Sequence, residues 1–139
     1  MKKRILTAAF LLGSIITFSQ EVKLKKEKVL CDDKEIMTFD VERWGTHQIH
    51  LFSLDTKEEQ INILKRDNET SGYFDDDFVQ IKFLTLGKTL ELKMNKPWST
   101  LIEWLIKNKA LGTDGKLNEE KVDLLIKNYD ENITNRTVR

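Results

Sequence analysis

A chain of 139 residues with one cysteine and equal numbers of cations and acids, 23 of each, is long enough for one globular domain with its own core. Balanced charge excludes the concentrated positive surface that nucleic acid requires, and the polybasic stretch of a membrane-surface binder. A lone cysteine excludes an internal disulfide, so packing alone must hold the fold.

The chain opens on Lys2, Lys3 and Arg4, followed by the apolar run Ile5–Ile16, which is too short to span a bilayer as a helix. Thr17 and Ser19 stand three and one positions before a cut that would leave Gln20 first. This is the layout of a cleaved secretory signal peptide, residues 1–19. Its removal takes away three cations and no acids, leaving 20 Lys+Arg against 23 Asp+Glu, a net charge of −3. The expected location is the periplasm or the outside of a Gram-negative bacterial cell, with no transmembrane segment once the signal is gone. Three sequons, at Asn68, Asn132 and Asn135, would matter only in a eukaryotic secretory route and are read as chance.

From Val22 to Met94 the pattern has period two, or short apolar runs broken by turn residues, which predicts strands. Lys26–Cys31 is the first, with Asp32-Asp33-Lys34 as its turn. Ile36–Glu42 follows, with Met37, Phe39 and Val41 on one face and Thr38, Asp40 and Glu42 on the other. That alternation describes a sheet with one buried and one wet face. Trp44-Gly45-Thr46 breaks the run. Gln48–Leu54 is the third strand, and Gln60–Lys65 the fourth, with Ile61 and Ile63 on one side. A polar loop spans 66–77. Phe78–Leu86 carries Val79, Ile81 and Phe83 inward, Gly87-Lys88 makes a two-residue connection, and Thr89–Met94 returns with Leu90, Leu92 and Met94 inward. Short connections imply antiparallel neighbours, hence a meander of about six strands.

Beyond Pro97 the period lengthens. Ser99 or Thr100 is the expected cap of a helix reaching about Ala110, and Thr100 with Glu103 has capping-box spacing. Leu101, Ile102, Trp104, Leu105, Ile106 and Leu111 cover more than half of its circumference, so it should be wedged between two elements. Gly112 suits the left-handed residue after the helix end. Asn118 should cap a second helix, with Glu119 and Glu120 in its first turn and Leu117 and Val122 at staple spacing. Its stripe of Val122, Leu125, Ile126, Tyr129 and Ile133 is narrow, so it packs by one side. The fold class is therefore α+β: a single domain over residues 20–134, with an antiparallel meander covered on one face by two C-terminal helices. Residues 135–139 form a tail without an apolar anchor.

Few side chains suggest chemistry. His47 and His50, three apart on a strand, point to opposite faces and cannot share a metal. Asp75, Asp76 and Asp77 in the long loop offer hard oxygen donors, a speculative calcium site, although calcium takes about six to eight ligands and the spacing fits no known loop. Thr113–Asn118 has the look of an EF-hand fragment, but Ala110, Gly112 and Lys121 occupy ligand positions, so it is a turn between helices. Cys31 closes a strand-like run and reads as a small core residue. Neither an activated serine nor a phosphate-cradling glycine loop occurs, and no cofactor motif is present.

These observations favour a non-catalytic exported module that binds a protein partner in the envelope or outside the cell, as an inhibitor or immunity-like protein would. Its contact residues are expected on the wet face, at Thr38, Asp40, Glu42, Glu91 and Lys93, with Trp44 as an aromatic anchor and the sheet edges as a second mode. One alternative is a carrier holding a small apolar ligand between sheet and helices. A second is a small hydrolase using Cys31 with a histidine, or the Asp75–Asp77 cluster.

Overall fold

The structure is a computed structural model and describes residues 21–42, 47–66 and 78–134. Among these residues seven strands form one sheet in sequential order, every neighbouring pair antiparallel. They are β1 (Val22–Lys25), β2 (Lys28–Cys31), β3 (Lys34–Glu42), β4 (His47–Ser53), β5 (Glu59–Arg66), β6 (Phe78–Phe83) and β7 (Lys88–Leu92). Two helices follow, α1 (Trp98–Lys107) and α2 (Glu119–Tyr129). The α+β class and the antiparallel meander stand, with seven strands rather than about six.

The additional strand is β1. Lys26 and Glu27 both adopt left-handed backbone, with φ of 51° and 66°, and close a two-residue hairpin onto β2. Asp32 and Asp33 repeat the device with φ of 51° and 67° before β3. Paired positive φ values are what a two-residue turn needs to match strand twist, and glycine or asparagine normally marks it. Aspartate is a tolerated substitute; a Lys-Glu pair carries no such mark, so Lys26 and Glu27 read as the start of the expected strand Lys26–Cys31 and β1 before them was missed.

The inner face follows the alternation. Met37, Ile49, Leu51, Ile61, Ile63, Ile81, Phe83 and Leu90 have no exposed surface, and they form one buried cluster with Leu101, Ile102 and Leu105 of α1 and Val122 of α2. Each such side chain contributes about 2 kcal/mol through removal from water. The wide apolar arc of α1 has two uses. Leu101, Ile102, Leu105 and Ile106 enter the cluster, while Trp104 packs edge-on against Tyr129 of α2, ring centroids 5.4 Å apart. At the start of α1, Trp98 lies half-buried under the Lys65 ammonium, 4.3 Å from the ring centroid.

Local details depart from expectation at element ends. β6 stops at Phe83, and four residues, Leu84–Gly87, make the turn to β7, so Gly87-Lys88 is not the whole connection. Pro97 rather than Ser99 or Thr100 precedes α1, and its carbonyl takes the Leu101 amide at 3.1 Å; no side chain caps this end. Proline fits there because its missing N–H would have no partner in a first turn. At the other end of α1, Lys109 takes the left-handed position with φ 63°, ahead of Gly112. Gly112 instead donates to the Lys116 carbonyl at 2.8 Å inside the interhelical turn. Asn118 caps α2 as expected, its Oδ1 accepting from the Lys121 amide at 3.2 Å.

Candidate functional site: the outer face of the sheet

Strand register decides which outward side chains meet. Across β3, β4, β5, β6 and β7 one row runs Asp40, His50, Asn62, Lys82, Thr89, and the next runs Glu42, Gln48, Leu64, Gln80, Glu91. Between Leu51 and Phe52 the β4–β5 register slips, so Phe52 faces Glu59 where an unbroken ladder would bring Gln60. Bulges re-aim side chains in this way. Here the bulge places a carboxylate beside the His50 imidazole.

The resulting cluster spans three strands. Nε2 of His50 lies 3.0 Å from Glu42 Oε1, and its Nδ1 is hydrogen-bonded to Glu59 Oε1. Gln48 Nε2 donates to Glu42 Oε2 at 2.6 Å, and Asn62 Nδ2 donates to Gln48 Oε1 at 2.9 Å while standing 3.1 Å from His50 Nδ1. The His50 side chain keeps 19% of its surface, against 44% for Glu42 and 29% for Glu59. Burial of the ring pulls its pKa down, but hydrogen bonds and charges from Glu59 and Glu42 outweigh that, and the net displacement is upward. Phe52 flanks the cluster, its ring 6.4 Å from the imidazole. Beyond it Lys26, Glu27, Lys28, Thr38 and Asp40 line an open depression of about 380 Å³.

Thr38, Asp40 and Glu42 thus lie on this face as the alternation implied. Glu91 shares the outward parity but is covered, with 5% of its surface exposed. Its carboxylate accepts from Gln80 Nε2 at 2.8 Å, from the Thr134 amide at 3.1 Å and from the Thr134 hydroxyl. The segment after α2 also occupies the edge of β7. Asp130 Oδ1 accepts from the Glu91 amide at 3.0 Å, the Glu131 amide donates to the Glu91 carbonyl at 2.7 Å, and the Lys93 amide donates to Glu131 Oε2 at 2.7 Å. The β7 edge is therefore occupied at Glu91 and Lys93, where another chain cannot pair. Trp44, Asp75, Asp76 and Asp77 lie outside the described residues, as do residues 1–19, expected to be a signal peptide, and residues 135–139.

The two histidines part as expected: His47 is exposed at the start of β4, and His50 points to the opposite face with partners on both nitrogens. Cys31 is buried on the inner face, so the sheet lies between its thiol and His50. Burial pushes the thiol pKa up, and Asp32 and Glu103 add to the rise. A Cys31–His50 nucleophile pair is thus ruled out geometrically. The hydrogen bonds of His50 go to carboxylates and an amide, none to a hydroxyl or thiol. Among the described residues no group of three or more His, Cys, Asp or Glu is arranged to hold a metal ion.

Sequence reasoning missed His50, Glu59, Asn62, Gln48 and Phe52 as a unit. Their only signal was the outward parity of each, since the bulge that joins them leaves no mark in composition.

Fold and face together define a helix-backed antiparallel sheet with an ordered polar cluster on the face away from the helices. In comparison with known proteins the chain matches no family model, no curated protein and no solved structure. No helix among the described residues is long and apolar enough to cross a membrane.

Proposed function

We propose that this chain is an exported, non-catalytic module that binds a protein partner through the β3–β5 part of its outer sheet face. The observation that carries the reading is the hydrogen-bonded set Glu42, Gln48, His50, Glu59 and Asn62 beside the half-buried Phe52. Polar groups already oriented on rigid strands lose little freedom when a partner arrives, and an aromatic ring at their margin supplies contact area. Export rests on the leader-like residues 1–19, and the envelope or extracellular setting follows from it. The apolar arc of α1 is taken up by the core and by Tyr129, which favours the binding reading over the carrier alternative.

The test is capture from an envelope extract with three forms of the protein: unaltered, carrying Asp40→Lys with Phe52→Ala, and carrying Leu124→Ala on the exposed side of α2. A partner retained by the first and third forms and lost by the second supports the reading. Capture by all three alike, or by none, overturns it. Sequencing of the mature N-terminus checks cleavage before Gln20.

A further inference from the structure

We propose that His50 is a pH-operated clasp on the sheet face: protonated, it ties Glu42 on β3 to Glu59 on β5, and neutral, it can hold only one of them. The argument is stereochemical. Both imidazole nitrogens face carboxylate oxygens, Nε2 toward Glu42 and Nδ1 toward Glu59. Carboxylates only accept, so both bonds require an N–H on each nitrogen, which is the imidazolium. A neutral ring carries one N–H; its bare nitrogen then points a lone pair at a carboxylate, and that contact must open.

The surroundings set the direction of the switch. Asp40 is directly across on β3, Glu42 lies further along β3, and Glu59 approaches from β5. The cation in the same row is Lys82, one strand beyond Asn62. Among the described residues Gln48, Asn62 and Phe52 are the neutral neighbours. The two carboxylates bonded to the imidazole, Glu59 and Glu42, favour its charged form. Loss of the proton makes the face more negative by one charge and parts one of the two carboxylates from the ring. It also leaves Asn62 Nδ2, already 3.1 Å from Nδ1, able to donate to the bare nitrogen. The device belongs to the free protein and holds or falls independently of any partner.

The experiment is an NMR titration of the full chain from about pH 5 to about pH 9, following the His50 ring and the side-chain carboxyl carbons of Glu42 and Glu59. One of those two carboxyl carbons is expected to shift with the same midpoint as the ring. Glu42→Gln and Glu59→Gln should each lower the His50 midpoint, and the double variant should lower it further. Carboxyl carbons that stay still while His50 titrates would overturn the clasp, and this readout needs no variant. A His50 midpoint indifferent to both substitutions in folded protein would overturn it equally.

Discussion

A methyl group added at Gly115 would stand 2.2 Å from the carbonyl oxygen of Ile36. The loop between the two helices therefore presses backbone to backbone on β3, and glycine is needed there both for space and for its φ of 79°. Gly87, with φ 66°, has nothing within 4 Å of such a methyl group. Gly115→Ala is expected to destabilise by about 3 kcal/mol, from collision plus left-handed strain, and Gly87→Ala by about 1 kcal/mol, from strain alone. Urea unfolding midpoints measure both. Equal losses would mean that the loop does not rest on β3.

Cys31 has 4% of its surface exposed, and its thiol is held in the protonated form by burial and by Asp32 and Glu103. Thiolate is the reactive species. Disulfide-exchange reagents should therefore label the native protein slowly, with the rate rising through the same urea range in which the fold is lost. Fast labelling in native buffer would contradict the burial.

Stability should depend on pH through His50. Its folded pKa is raised, so the folded state binds the proton more tightly than the unfolded chain, where histidine titrates at about 6.5. The stabilisation is complete below that unfolded value and is lost as pH climbs through the higher folded one. The urea midpoint of the native protein should fall across this window, and the fall should be smaller in His50→Gln. A midpoint that rises there would reverse the sign of the argument.

Asp130 seals the β7 edge by accepting from the Glu91 and Asn132 amides. Asp130→Ala removes both bonds at about 1 kcal/mol each. Hydrogen exchange should accelerate at Glu91 and Lys93 while the central strands β3 to β5 keep their protection. With an edge opened, self-association at high concentration should increase, which light scattering would detect. Unchanged exchange at Glu91 would show that the seal comes from elsewhere in the chain.

Much of the fold could be read from residue order because burial has a local period. Met37, Ile61, Ile63, Val79, Ile81, Phe83, Leu90 and Leu92 all point inward as their alternation implied. The Asn118 cap was legible for the same local reason, since a cap depends on its own side chain and the amide three residues on. Element ends were less so. The Lys26-Glu27 hairpin lacks a turn-forming residue, and the α1 start is chosen by Pro97 rather than by Ser99, Thr100 or the Glu103 side chain.

The amino-acid order by itself determined which side chains leave water, because a two-residue or 3.6-residue repeat of apolar groups has only one face to bury. It also determined that a single thiol would serve packing and not cross-linking. Only the tertiary structure decided which outward groups meet. His50 and Glu59 are joined by a one-residue slip between β4 and β5, and Glu91 is covered by Thr134 from 43 positions away. Register and chain return are settled by the summed packing of the whole sheet, and no local repeat of hydrophobicity carries either.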